Sequence, residues 1–138
     1  MTDVLTPEQR RRCMAAIRGT DTKPELLVRS IAHRIGYRFR LHAHDLPGRP
    51  DLVFPGRRKV VFAHGCFWHQ HPGCRHATRP ATRAEFWATK LDGNRERDAR
   101  VRRELEELGW GVLVIWECQT REPEAVRARL AAFLGPRG

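Results

Sequence analysis

The chain has 138 residues, of which 41% are hydrophobic, enough for one compact domain with a buried core and too much for a disordered chain. Its 26 lysine and arginine residues against 16 acidic residues give a net charge of +10, which favours a polyanionic partner, with nucleic acid the first candidate. No apolar run approaches the roughly 20 residues of a membrane-spanning helix. No apolar segment precedes the arginines at 10–12, as a signal peptide would require, so we expect a cytoplasmic protein with no membrane partner. The alternative explanation of the charge is a source proteome rich in arginine, since nearly all the basic residues are arginine.

Two capping patterns predict the first two helices. Residues 6–9, Thr-Pro-Glu-Gln, combine a capping box with proline at the first helical position, so a basic N-terminal helix is expected within residues 1–19. Residues 22–25, Thr-Lys-Pro-Glu, repeat the pattern and open a helix that ends at Gly36. The helical spacing of its apolar residues predicts one buried stripe, formed by Leu27, Ile31 and Ile35.

Three strands are expected next, followed by a long helix, a fourth strand and a closing helix. Apolar and basic residues alternate over 37–41, and residues 51–54 and 59–64 form a hairpin. A third capping box at 82–85 opens a helix to about Leu108. The apolar run 110–118 is typical of a strand buried on both faces. The closing helix carries three core residues, Val126, Leu130 and Phe133.

This order predicts a single α/β domain over residues 1–138, with a mixed central β-sheet flanked by helices. The long helix would cross over to a fourth strand that runs parallel to the third, so Cys66 and Cys118 should lie at the same sheet edge. The hairpin register places Asp51 opposite Phe62, with His64 diagonal to Asp51 on the same face. We therefore expect one edge of the sheet to bring together four side chains, those of Asp51, His64, Cys66 and Cys118.

The loop 64–80 is rich in histidine, cysteine, proline and glycine and has no helical or strand period. Two cysteines eight residues apart and a distant third can supply thiolates to a tetrahedral zinc site, with buried free thiols as the alternative. Spacing does not choose the nitrogen ligand, for which there are three candidates, His69, His71 and His76. Cys13, on the basic helix, is interpreted as an ordinary helix residue.

Several polar residues have both a catalytic and a structural interpretation. Asp51, at the start of a strand, suits Mg²⁺ and a phosphate substrate, or it satisfies turn amides. Glu25 is explained by its capping box without catalysis. His64 and His69 suit general acid–base chemistry, or they are structural histidines.

Two pairs of adjacent aromatic residues, at 67–68 and 86–87, are unusual in polar surroundings. Phe67 and Trp68 cannot both point into the core, so at least one should be exposed and able to wedge between base pairs. Core packing is the alternative for the second pair, and it is favoured for Phe86 over Trp87.

Four motifs together resemble the very short patch repair DNA mismatch endonucleases: LPGRPD at 46–51, HGCFWH at 64–69, ATRAEFW at 81–87 and WEC at 116–118. The resemblance covers about residues 8–133. It implies a restriction-endonuclease-like αβββαβ core, a structural zinc knuckle, and Mg²⁺ as catalytic cofactor. It also implies nicking of one strand of duplex DNA 5′ of the thymine in a T·G mismatch that arises from 5-methylcytosine deamination. We expect a monomeric bacterial-type protein, cytoplasmic and associated with the nucleoid through DNA.

The resemblance assigns roles residue by residue. Asp51 would hold Mg²⁺ together with the backbone carbonyl of Ala63, and His69 would be the general base. The supporting polar shell would be His64, Glu25 and Asp98. The zinc ligands would be Cys66, His71, Cys74 and Cys118. The aromatic wedge would be Phe67, Trp68 and Trp87. The remaining DNA contacts would be Met14 from the minor-groove side, with Lys90 and Asn94 reading the mismatched pair.

The chain departs from the family pattern in two places and from the broader nuclease fold in one. Ala63 stands where the family commonly has threonine, and Gly73 is an added residue between two expected zinc ligands. The Glu-x-Lys of the broader nuclease fold is replaced by Phe-Ala-His at 62–64, which shifts proton handling from lysine to histidine. The rival functions are a non-catalytic zinc-stabilised DNA-binding module, a zinc hydrolase or nucleobase deaminase, and a nuclease for matched DNA. The deaminase signature of His-x-Glu before Cys-x-x-Cys is absent from the sequence.

Overall fold

A computed structural model of the chain describes residues 22–43 and 45–136. Its helices and strands, in chain order, are α1 (Lys23–Arg34), β1 (Arg40–Leu41), β2 (Leu52–Phe54), β3 (Lys59–His64), α2 (Ala84–Glu107), β4 (Gly111–Trp116) and α3 (Pro123–Leu134). Short 3₁₀ turns occupy Pro55–Arg57, Arg75–Ala77 and Glu117–Arg121. The expected basic helix, with Cys13 and Met14, lies outside the described residues.

The strands form one mixed sheet in the order β1-β2-β3-β4. β1, β2 and β3 pair antiparallel, and β3 pairs parallel with β4, so α2 is the crossover connection. In the hairpin, Leu52 faces Val61 and Phe54 faces Lys59, which is the predicted register. The predicted topology of a mixed sheet within one small α/β domain is confirmed.

The two faces of the sheet bury two separate apolar clusters, because successive side chains of a strand point to opposite faces. One cluster joins the sheet to α1 and α3, with Val28 and Leu130 among its members. The other joins the opposite face to α2, with Val60 and Leu105 at its centre. Within 22–43 and 45–136, no helix combines the length and apolar content that crossing a bilayer requires.

Helix α1 buries a stripe that matches the predicted one only in part. Thr22 caps the helix as expected, since its Oγ1 accepts a hydrogen bond from the Glu25 N–H, 3.4 Å away. The buried apolar residues are Pro24, Val28, Ile31 and Ala32. Leu27 and Ile35 pack only at the border of the cluster. The predicted stripe is therefore confirmed at Ile31 and wrong at its two ends, where Val28 and Ala32 take the buried positions.

Strand β1 is shorter than the alternating pattern over 37–41 predicts. Tyr37 is buried and Phe39 packs against the core, but Leu41 is 40% exposed. The ladder stops there because His42 adopts a left-handed backbone with φ 46°. The strand therefore contributes only two residues to the sheet.

Two expectations for the second half were also wrong. Helix α2 does not start with a capping box: its N-cap is Arg83, in a left-handed conformation without a side-chain cap. In β4 only Ile115 is fully buried, and the other residues are half-buried. β4 lies at the edge of the sheet and pairs only with β3 among the described strands, so its free edge is not covered by another strand.

Candidate active site and metal centre

Asp51 is held at the start of β2 by a tightly packed loop. Gly48 has φ +73°, and a Cβ on it would lie 2.3 Å from Val101 Cγ1 of α2, so this close approach requires glycine. The carboxylate of Asp51 is buried, and its Oδ2 accepts a hydrogen bond from the backbone N–H of Ala63 at 2.7 Å. The hydrogen bond to strand β3 fixes the carboxylate beside the end of that strand.

A second carboxylate and an imidazole lie next to Asp51. Glu25, in the first turn of α1, is 1% exposed and accepts a hydrogen bond from Arg29 Nη2 at 2.9 Å. Its Oε1 also contacts Nε2 of His42. One ligand atom from each of Glu25, His42 and Asp51 lies within 4.8 Å of the others. His42 was not singled out from the sequence, because nothing in the pattern showed that the chain turns there.

Burial raises the pKa of the Asp51 carboxyl to about 7, against the opposing effect of the Ala63 hydrogen bond. The charge of Glu25 also raises this pKa, whereas His42 and His69 lower it. Asp51 is hydrogen-bonded to Ala63, and His69 stacks on the next residue of the strand, His64, so both side chains lie near the end of β3. A buried carboxylate whose charge is incompletely compensated, with one oxygen engaged by an N–H, fits a role as ligand of a divalent cation.

His69 lies between a carboxylate and a second imidazole. Its Nδ1 is 2.7 Å from Asp98 Oδ2. Because a carboxylate can only accept, Nδ1 carries the ring hydrogen and donates a hydrogen bond to Asp98. The His69 and His64 rings stack with centroids 3.8 Å apart and planes 5° apart. His64 borders a largely apolar cavity of about 220 Å³, and its burial lowers its pKa to about 3. His64 is therefore neutral near pH 7, and the hydrogen bond to Asp98 leaves Nε2 of His69 as a proton acceptor.

Three cysteines and one histidine come together where the loop that follows β3 meets the end of β4. Cys66 accepts a hydrogen bond from the Cys118 backbone N–H at 3.4 Å, so their expected proximity is confirmed. His71 Nδ1 lies 3.7 Å from Cys66 Sγ and 3.4 Å from Cys118 Sγ. Cys74 completes a group whose ligand atoms all lie within 4.8 Å of one another.

This group has the size of a tetrahedral zinc site. Zn–S and Zn–N bonds of about 2.3 and 2.0 Å place neighbouring ligands roughly 3.5 to 3.8 Å apart. His71 is the nitrogen donor in the group, whereas His69 binds Asp98 and His76 lies in the turn Arg75–Ala77. The added Gly73 adopts φ +71°, so the extra residue is accommodated in a left-handed turn and Cys74 still reaches the group.

Trp116 lies between the cysteine group and the two stacked histidines. Its ring stacks on His71, with centroids 4.2 Å apart and planes 11° apart. The same indole meets the His64 ring edge-on at 5.3 Å. Sequence analysis did not assign this contact to Trp116, which forms part of the WEC motif. The indole thus provides a direct packing connection between the two groups of polar residues.

Three of the expected wedge residues pack against one another. The Phe67 ring lies 5.2 Å from Trp68 and 5.4 Å from Trp87, and the two indoles are 6.0 Å apart. Phe86, for which core packing was favoured, is 46% exposed and touches Trp87 from outside. That expectation was wrong because the first buried residue of α2 is Leu91, so its first two turns extend beyond the core.

The two residues expected to read a mismatched pair lie on α2 next to these rings. Asn94 donates a hydrogen bond from Nδ2 to the backbone carbonyl of Trp68 at 3.0 Å. Lys90 Nζ lies 5.9 Å from the centroid of the Trp68 ring. Both side chains therefore border the aromatic cluster formed by Phe67, Trp68 and Trp87.

Comparison with known proteins identifies the family. The family model of the DNA mismatch endonuclease Vsr matches residues 2–75, which is more than half of the chain. The chain is 52% identical over 136 residues to the type II nicking enzyme V.XorIIP of Xanthomonas oryzae, covering 99% of both proteins. It is 46% identical over 124 residues to the DNA mismatch endonuclease Vsr of Escherichia coli, covering 90% of this chain and 79% of that protein. It is 39% identical over 130 residues to the type II nicking enzyme V.NmeAIP of Neisseria meningitidis, covering 94% and 92%. The chain belongs to the Vsr family of DNA mismatch endonucleases.

Proposed function

We propose that this chain is a Mg²⁺-dependent DNA endonuclease that nicks one strand of a duplex 5′ of the thymine in a T·G mismatch. The nick would initiate very short patch repair after deamination of 5-methylcytosine. The observation that carries the proposal is the arrangement at the end of β3, where Asp51 is hydrogen-bonded to Ala63 and His69 stacks on the neighbouring His64. The aromatic cluster supports it, because Phe67 and Trp68 directly precede His69 in the HGCFWH motif. The names of the relatives, nicking enzymes and a mismatch endonuclease, support the same activity.

The sheet topology supports a restriction-endonuclease-like αβββαβ core, with residues 1–138 as one mismatch-endonuclease domain. The 1–19 basic helix and the zinc and aromatic loop 64–80 would extend this core toward DNA. The carboxylate of Asp51 and the backbone carbonyl of Ala63 would hold Mg²⁺, whose chemistry is to stabilise negative charge on the scissile phosphate. Glu25 would support this centre from α1.

His69 would accept a proton from the attacking water at Nε2. The hydrogen bond from its Nδ1 to Asp98 fixes the tautomer that leaves Nε2 unprotonated, and the neutral ring of His64 fixes the plane of the imidazole. This arrangement supplies a base without a lysine, which fits the Phe-Ala-His sequence at 62–64.

The four-residue cluster of Cys66, His71, Cys74 and Cys118 would hold a structural zinc ion. A complete set of four protein ligands suits structural rather than catalytic zinc, and such sites contribute on the order of 10 kcal/mol to folding. The loop that carries the aromatic residues has little regular structure of its own, so the zinc would hold it against β4.

The aromatic cluster would open the duplex at the mismatch. A T·G wobble pair stacks less stably than a matched pair, so the cost of unstacking, a few kcal/mol per step, is lowest there. Phe67, Trp68 and Trp87 would enter from the major groove and Met14 from the minor groove. Lys90 and Asn94 would contact the mismatched bases, and the net charge of +10 would attract the phosphate backbone. We also propose that the protein acts as a monomer in the bacterial cytoplasm, associated with the nucleoid through DNA.

The proposal is tested with duplexes that carry a label on either strand. With Mg²⁺ present, the T·G duplex should be cut only in the thymine-containing strand and only on the 5′ side of the thymine. The matched T·A duplex and the reaction without Mg²⁺ are the controls. Equal cutting of matched DNA would instead favour a general nuclease. Tight T·G binding without any cutting would favour a non-catalytic binding module.

A further inference from the structure

His42 holds an unusual position beside the two buried carboxylates. Its backbone has φ 46°, a left-handed conformation that is uncommon for residues other than glycine. The conformation is stabilised by a hydrogen bond from the His42 N–H to the backbone carbonyl of Asp51, at 3.3 Å. This turn at the end of β1 is what brings the ring to Glu25.

The three side chains form a compact group of two oxygen donors and one nitrogen donor. Their ligand atoms lie within 4.8 Å of one another, a spacing that one cation can bridge. Glu25 and Asp51 are buried, whereas the His42 side chain is 24% exposed. The imidazole is thus the most solvent-accessible of the three groups.

Donor chemistry decides which ion such a group prefers. Mg²⁺ binds oxygen donors almost exclusively and retains much of its water. Imidazole nitrogen favours borderline transition ions, with affinity rising from Mn²⁺ through Co²⁺ to Ni²⁺. A mixed nitrogen and oxygen group should therefore discriminate between these ions much more strongly than carboxylates and carbonyls alone.

We propose that His42 is a further ligand of the divalent ion at Asp51, so that this centre binds Co²⁺ and similar transition ions more tightly than Mg²⁺. The inference rests on the proposed function, because it takes Asp51 to be the metal anchor. It adds a nitrogen ligand and a metal preference to that centre. The alternative role of His42 is only to hold Glu25 in place through their side-chain contact.

The test is calorimetric titration of the zinc-loaded protein with Co²⁺ and, separately, with Mg²⁺. The variant is His42→Asn, because asparagine tolerates the left-handed backbone and lacks the imidazole. The matched control is His33→Asn, which changes an exposed histidine of α1. Thermal melts establish that each variant is folded. Zinc content and thiolate-to-cobalt absorption show whether Co²⁺ has entered the cysteine cluster.

His42→Asn should weaken Co²⁺ binding by at least about tenfold and change the absorption bands of bound Co²⁺, while Mg²⁺ affinity changes less than about threefold. His33→Asn should change neither. The same Co²⁺ affinity and spectrum in wild type and His42→Asn would overturn the inference.

Asp51→Asn separates this failure from failure of the proposed function. If Asp51→Asn abolishes the binding of both ions while His42→Asn changes nothing, only the role of His42 is wrong. If neither ion depends on Asp51, the metal site of the proposed nuclease is itself wrong.

Discussion

In the proposed mechanism His69 accepts the proton of the attacking water, and Asp98 only orients the His69 ring through their hydrogen bond. We expect Asp98→Ala to lower the nicking rate on the order of a hundredfold, because Nδ1 loses its acceptor and the ring can adopt the wrong tautomer. DNA affinity should change little. Single-turnover nicking and equilibrium binding measure the two quantities separately.

Asp92 provides the matched control for that experiment. It lies on the same helix, is exposed, and pairs with Arg79 rather than with a histidine. Asp92→Ala should nick at the wild-type rate. If Asp98→Ala also did so, the tautomer of His69 would not depend on this contact and the assignment of the base would be wrong.

Trp68 is expected to contribute more to mismatch binding than to folding. It is half-buried and packs mainly on Phe67 and Trp87. Since base–aromatic stacking is worth about 1–3 kcal/mol, Trp68→Ala should weaken T·G binding roughly 10- to 100-fold. Phe86→Ala, which changes a residue on the outside of the cluster, should weaken T·G binding less. Fluorescence anisotropy with a T·G duplex measures the affinity, and a thermal melt measures the stability of the fold. An unchanged affinity with an unchanged melting temperature would refute the role of Trp68 in the wedge.

Among the larger elements, the loop between β1 and β2 fixes the position of Asp51 by packing on α2. Gly48→Ala should destabilise the fold by about 2 kcal/mol or more, since it adds left-handed strain and forces Val101 to move. Gly56→Ala is the control, because among the described residues only those adjacent to it in the chain would lie within 4 Å of its Cβ. In urea denaturation, Gly48→Ala should unfold at a lower midpoint concentration than the wild type, and Gly56→Ala should not. Equal midpoints would mean that the loop can shift at little cost.

The cysteine cluster joins the end of β4 to the loop after β3. Cys118→Ser should lose bound zinc and much of its solubility, because a hydroxyl is a poor substitute for a thiolate in a tetrahedral site. Cys13→Ser, which changes a cysteine of the predicted N-terminal helix, should retain the metal. Atomic absorption of the purified proteins measures zinc per chain. One equivalent of zinc in Cys118→Ser would remove Cys118 from the ligand set.

For the molecule as a whole, the topology could be predicted because it depends on local patterns. The order of the elements follows from hydrophobic periods and turn residues, and the hairpin register follows from the length of the turn at 55–58. Parallel pairing of β3 with β4 then brings Cys66 next to Cys118. These features need no knowledge of how distant side chains pack.

The features that the sequence did not reveal all depend on long-range geometry. The partial burial of β4 depends on its place at the sheet edge, and the exposure of Phe86 depends on how far α2 extends beyond the core. The place of His42 depends on one left-handed residue after β1. The position of Trp116 between His71 and His64 depends on how the loop folds back over β4. Local patterns determine none of these.

The most direct measurement of the central claim is single-turnover nicking of a T·G duplex by Asp51→Asn. The amide can still accept the Ala63 hydrogen bond, so the fold and T·G affinity should be retained, while the loss of the anionic ligand lowers the nicking rate on the order of a thousandfold or more. Asp45→Asn, an exposed aspartate of the same loop, should nick normally. Nicking by Asp51→Asn at the wild-type rate would contradict the account, because the strand would then be cut without the carboxylate on which the centre is built.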